Sequence, residues 1–167
     1  MNIPAGEVVT SAAPLELKEF SALLHDLHRR SFNGYVAWLG RGYDGLEEGI
    51  LLFSRGDIVA ASYEHLKYDY VIDGKDALEP AANVLVSKCP VYSVVALTIP
   101  KINLVLAFNE KAGLPAAITP KDFLELVPES YSDRWVKSII KTLPPEDIDR
   151  IRILAKYGLT GVKVGEI

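Results

Sequence analysis

The stretch from Phe32 to Ser62 constrains the fold most. Phe32-Asn33-Gly34-Tyr35-Val36-Ala37-Trp38-Leu39-Gly40 is dense in aromatic and β-branched residues, the composition of a strand. Gly49–Ser54 reads as a second strand. Its consecutive Ile50, Leu51, Leu52 and Phe53 imply that both faces are covered. Arg55-Gly56-Asp57 is a tight turn in which Gly56 supplies a positive φ at little cost. Ile58–Tyr63 returns as a third strand, and its small Ala60, Ala61 and Ser62 imply close packing against it.

Helical patterns surround this hairpin. Residues 1–13 read as an extended entry segment. Pro14 opens a helix to about Arg30, with Leu15, Phe20, Leu23, Leu24 and Leu27 at three- and four-residue steps. Residues 64–73 form a polar, Tyr-rich connection. A helix over 75–87 follows, with Pro80 marking a separate first turn or a kink. Val91–Thr98 is a fourth strand. Thr98 caps a helix starting at Pro100, whose expected buried face is Leu104, Val105 and Phe108, with Gly113 at its end. Leu114–Thr119 reads as a loop, followed by three short helices over 120–127, 132–141 and 144–157. The expectation is an α+β fold: an antiparallel sheet of about four strands with packed helices. A core domain spans 1–113, and a helical C-terminal segment over 114–167 packs on it.

Composition narrows the function classes. The 167 residues carry a net charge of −4, against the basic excess that phosphate neutralisation demands of a nucleic-acid binder. Residues 121–167 hold 8 basic and 8 acidic side chains, so no basic tail hides there. No apolar run approaches the ~20 residues a membrane span needs, and no secretory leader pattern opens the chain. The single cysteine, Cys89, fits a reducing, cytoplasmic setting and reads as a buried structural thiol.

Each motif that suggests chemistry has a simpler reading. His25 and His28 share a helix face near Asp26, but the only other histidine is His65, so no metal ligand set forms. Gly40-x-Gly42-x-x-Gly45 matches a dinucleotide-binding string, but the third glycine leads into a strand rather than a helix. It reads as a flexible β–β loop over Arg41–Glu48. Glu47 and Glu48 read as solvated surface acids. No Ser/His/Asp set, P-loop, Cys-rich knuckle or HExxH occurs, so the reading leans away from an enzyme and implies no cofactor.

Beyond these, Phe32-x-Gly34-Tyr35 followed by Glu48-Gly49-Ile50-Leu51-Leu52-Phe53-x-x-Gly56-x-Ile58-Val59-Ala60-Ala61 resembles an uncharacterised archaeal family known only as a domain of unknown function. The pattern is also distantly similar to bacterial PATAN-type regulatory domains, which share the strand, Gly turn and strand ending in Ala. Leu104-x-Leu106-Ala107-Phe108-Asn109 and Leu154-Ala155-Lys156-Tyr157-Gly158 resemble later family segments, so the resemblance spans about Pro4 to Gly158. It rests on structural glycines, Gly34, Gly49 and Gly56, and on apolar residues, and so implies a fold rather than an activity. The bacterial relatives imply an interaction module.

Two functions follow as expectations. The first is a non-enzymatic interaction or regulatory module acting through protein contact or self-association, with Trp38, Tyr63, Tyr68 and Tyr70 as partner-surface candidates. The second is a small-ligand or nucleotide-binding domain using the Gly40–Gly49 loop, with Arg41, Tyr43 and Glu48 as ligand residues.

Overall fold

The computed structural model describes residues 1–144 together with Ile148 and Ile151. Its frame is one antiparallel sheet, and the three predicted hairpin strands form its centre. These are β2 (Gly34–Gly42), β3 (Gly45–Ser54) and β4 (Asp57–His65), preceded by β1 (Glu7–Pro14). β5 (Tyr70–Asp73), β6 (Lys88–Ala96) and β7 (Gly113–Ile118) complete seven strands. The order is β1-β6-β2-β3-β4-β5, with β7 also pairing β4.

The α+β expectation therefore holds, but the strand count is seven rather than four. The three additional strands share a cause. β1, β5 and β7 lie at the sheet margins and lack the alternating apolar pattern that marks a half-buried strand. Pairing to β6 or β4 makes them strands, a tertiary effect that local sequence does not encode.

The Arg41–Glu48 loop is likewise absent. Pairing runs unbroken from Gly34↔Phe53 to Gly42↔Gly45, which leaves a two-residue turn at Tyr43-Asp44. Asp44 sits there at φ 59°, a conformation that short polar side chains tolerate. The next turn matches expectation. Ser54 pairs with Asp57, Gly56 has φ 89°, and its N–H donates to the Phe32 carbonyl at 2.8 Å.

Helices cover both faces unequally. α1 (Leu17–Arg29), α2 (Leu78–Val84), α4 (Pro120–Leu124) and α5 (Arg134–Thr142) lie over one face, and α3 (Ile99–Phe108) lies over the other. Leu51 and Phe53 face the larger core while Leu52 faces the smaller one, and all three are fully buried. This is the two-sided burial their consecutive apolarity implied. Pro80 falls in the first turn of α2, after a 3₁₀ turn over Gly74–Ala77, where its missing N–H costs nothing.

The larger core is organised around Trp38. Its ring meets Phe20 edge-on at 5.7 Å and Phe123 at 5.8 Å, and its Nε1–H donates to the Ala81 carbonyl at 3.1 Å. Residue 49 must be glycine beneath it, since a Cβ there would stand 2.5 Å from the indole. Phe123, Val136 and Ile139 enter the same core, so the chain after residue 113 opens as a strand and then packs its helices on the sheet. The helix expected over 144–157 lies almost wholly outside the described residues.

Two burial expectations fail. Cys89 is exposed, because β6 begins irregularly, with Cys89 at φ 48°. On α3 the buried residues are Ile102 and Val105, whereas Leu104 is 48% and Phe108 74% exposed. A helix of almost uniform apolarity does not reveal which stripe faces inward.

Candidate functional site

The polar chemistry of the molecule gathers at the tip of the β2–β3 hairpin. Period-two alternation along β3 carries Glu47 onto the same face as Gly49, Leu51 and Phe53. Glu47 is therefore fully buried, not solvated, and two phenols satisfy it. Tyr63 donates to Oε2 at 2.8 Å, and Tyr131, from the segment between α4 and α5, donates to Oε1. The Tyr131 oxygen in turn accepts the N–H of Tyr43 at 2.8 Å. Burial first, and then the charge and hydrogen bond of Glu47, push the Tyr63 phenol far above its ordinary value. Tyr131 is raised for the same two reasons, burial and its bond to Glu47.

His65 lies directly across from Glu47 in the β3–β4 register and is also fully buried. A carbonyl can only accept, so Nε2–H donates to the Tyr43 carbonyl at 3.1 Å, which leaves Nδ1 without a hydrogen-bond partner among the described residues. Its ring stacks at 4.7 Å on Tyr68. Tyr68 donates to Asp44 Oδ2, and Lys67 holds Asp44 Oδ1 at 2.7 Å. Burial pushes the Asp44 carboxyl up, but the Lys67 and Tyr68 hydrogen bonds outweigh it and hold the group below its usual value.

The glycine string has a packing explanation. A Cβ at Gly42 would overlap Glu47 Oε1 and come within 2.6 Å of the Tyr131 hydroxyl. At Gly45 it would stand 2.8 Å from His65 Cε1, and at Gly40 it would overlap Ser87 Oγ. These residues are glycine because side chains close over them.

Two adjoining clefts flank the tip and share Arg41, Gly42 and Lys88. The larger, about 730 Å³, is further lined by Tyr43, Val86 and residues 130–133, and the smaller is about 580 Å³.

The aromatic partner-surface candidates do not form a surface. Trp38 and Tyr63 are at most 1% exposed and Tyr68 is 8% exposed, because alternate strand positions and the α2 side of the sheet take them inward. Tyr70 is partly buried against the same core. Of the ligand candidates, Arg41 and Tyr43 line a cleft while Glu48 does not. Glu48 pairs with Glu64 across the strand, and burial followed by that neighbour raises its carboxyl. Gly34, Gly49 and Gly56 all sit where a Cβ would collide with neighbouring atoms. His28 meets Asp57 at 3.3 Å and the Gly56 carbonyl at 3.1 Å. Among the described residues, no group of three or more His, Cys, Asp or Glu is placed to hold a metal.

Sequence reasoning missed Glu47, His65 and Tyr131. Glu47 was legible through its parity with Leu51 and Phe53. Tyr131 was not, because only the tertiary fold brings it to the hairpin.

Residues 1–109 match a family described as uncharacterised proteins conserved in archaea (DUF2226), and the chain belongs to that family. The matched part runs from the first residue through α3 and ends before Tyr131. No curated protein and no solved structure matches the chain. Among the described residues, no helix is long and apolar enough to cross a membrane.

Proposed function

We propose that the chain is a non-enzymatic interaction module that pairs with a second copy of itself through the outer face of α3. It acts in the cytoplasm and binds no nucleic acid. One observation carries the reading: Leu104 and Phe108, one helical turn apart, are 48% and 74% exposed on a helix whose only charged residue is Lys101. Isolated exposed apolar residues are ordinary, but Leu104 and Phe108 stand in register beside exposed Ala107, with Asn103 the polar neighbour on that outer face, and form an anchor pair.

A second copy fits this face better than a foreign partner. Antiparallel pairing about a two-fold axis near Val105–Leu106 opposes the two helix dipoles and places small Ala107 across from Leu104. Lys101 donates to the Ala5 carbonyl at 2.6 Å, which leaves the outer stripe uncharged.

The aromatic hairpin residues keep a structural role in this reading. They fix the sheet on which α3 rests. Size-exclusion chromatography with light scattering tests it: wild-type chain elutes as a dimer, and Phe108→Glu elutes as a monomer with unchanged circular dichroism. Val9→Lys, on the β1 edge, leaves the dimer intact. Dissociation by Val9→Lys alone would move the interface to that edge and sink the α3 assignment.

A further inference from the structure

We infer that the larger cleft at the hairpin tip binds a small phosphomonoester, gripped by Arg41 and Lys88. This rests on a different face of the molecule from α3 and stands independently of self-association.

The first observation is an uncompensated charge pair. Arg41 on β2 and Lys88 on β6 are direct cross-strand partners. Like charges placed opposite one another oppose sheet pairing. Among the described residues, neither side chain has an ion-pair or hydrogen-bond partner. Both line both clefts.

The second observation is that the acids nearby are already taken. Asp44 is held by Lys67 and Tyr68. Asp133 is held by Lys137 at 2.6 Å. Glu47 is buried behind Gly42 and is satisfied by Tyr63 and Tyr131. The acids that line the two clefts, Asp44 and Asp133, thus have their own donors, and among the described residues Arg41 and Lys88 remain as positive charge facing the cleft. A dianion neutralises both at once. The guanidinium offers a planar fork for two phosphate oxygens, and the ammonium supplies a point charge.

The third observation is shape. About 730 Å³ falls within the range of small-molecule sites and exceeds what a bare phosphate fills. Tyr43, 41% exposed, and Val86 provide apolar wall for the rest of the ligand. Ser130 and Ser132 also line the cleft. The cleft therefore suits a phosphate ester of a ring-bearing alcohol, the chemistry of a nucleoside monophosphate.

Isothermal titration of the full chain with AMP, inorganic phosphate and adenosine tests this. AMP is expected to bind, phosphate more weakly, and adenosine least, with AMP affinity falling as salt rises. Arg41→Gln is expected to weaken AMP by about tenfold to a hundredfold, the loss of a charge-assisted hydrogen bond. Lys88→Glu keeps the strand pair folded by giving Arg41 a partner, and it abolishes AMP binding. Equal binding of adenosine and AMP would overturn the proposal. So would AMP affinity unchanged in both variants, or no heat from any of the three ligands.

Discussion

Tyr63 donates its phenolic hydrogen to Glu47 at 2.8 Å, and both side chains are wholly excluded from water. A carboxylate in such a place needs donors, because burial without them is strongly unfavourable. Tyr63 from β4 and Tyr131 from beyond α4 supply them, so Glu47 ties the sheet to the C-terminal helices.

Removing either phenolic hydroxyl leaves a buried oxygen of Glu47 unpaired. Tyr63→Phe is expected to destabilise the fold by about 1–3 kcal/mol, and Tyr131→Phe by a similar amount, in urea unfolding followed by circular dichroism. Because the two share one acceptor, the double variant should deviate from the sum of the singles.

The same burial is visible to light. The chain has eight tyrosines. Tyr63 and Tyr131 are raised by burial and by Glu47, so both remain protonated where ordinary phenols ionise. Phenolate absorbance in the native protein should rise short of the full tyrosine complement as pH passes about 10, the usual phenol value. The remainder should appear only on unfolding. For an acid held protonated in the fold, stability falls as pH rises through the unfolded value.

Glu48 makes the parallel case for a carboxyl. Burial, and then Glu64, raises it above the ordinary glutamate value. The folded chain thus holds this proton more tightly than the unfolded chain. Its contribution is fully present below 4.5 and is lost as pH rises through the folded value. Glu48→Gln is expected to raise the melting temperature at neutral pH, corresponding to about 0.2–1 kcal/mol for a like-charged cross-strand pair. The gain should vanish in acid, where Glu48 is protonated.

Gly42 and Gly49 carry side chains directly above them. Gly49→Ala forces the Trp38 indole away and is expected to cost about 1–3 kcal/mol by overpacking. Gly42→Ala displaces Glu47 or Tyr131 and should cost at least as much, with the loss of the Tyr131 hydrogen bond visible as a normalised phenol titration.

These glycines show what sequence alone could and could not convey. The strand residues Val36, Leu51, Phe53 and Ile58 announced themselves by composition, and they form the core. The glycines at 40, 42 and 45 read as a flexible loop, and their spacing does not reveal that side chains close over them. Those side chains come from the turn before β6 (Ser87) and from the neighbouring strands (Glu47 and His65). Tyr68 and Trp38 read equally well as surface anchors or core. Aromatic content gives no direction, and only the sheet's two-sided cover decides. The exposed stripe of α3 was hidden for the complementary reason. Uniform apolarity around a helix erases the periodic signal that would have oriented it.

In the proposed dimer the exposed stripe on α3 meets the same stripe of a second copy. Phe108 and Leu104 are solvent-facing in the single chain, so their substitution should shift monomer stability by no more than about 0.5 kcal/mol. Sedimentation equilibrium of wild type and Leu104→Glu at micromolar concentration isolates association from folding. The account predicts a mass near twice 18.4 kDa for wild type and 18.4 kDa for Leu104→Glu. A wild-type mass of 18.4 kDa across the concentration range, or a Leu104→Glu variant that stays dimeric, would contradict it.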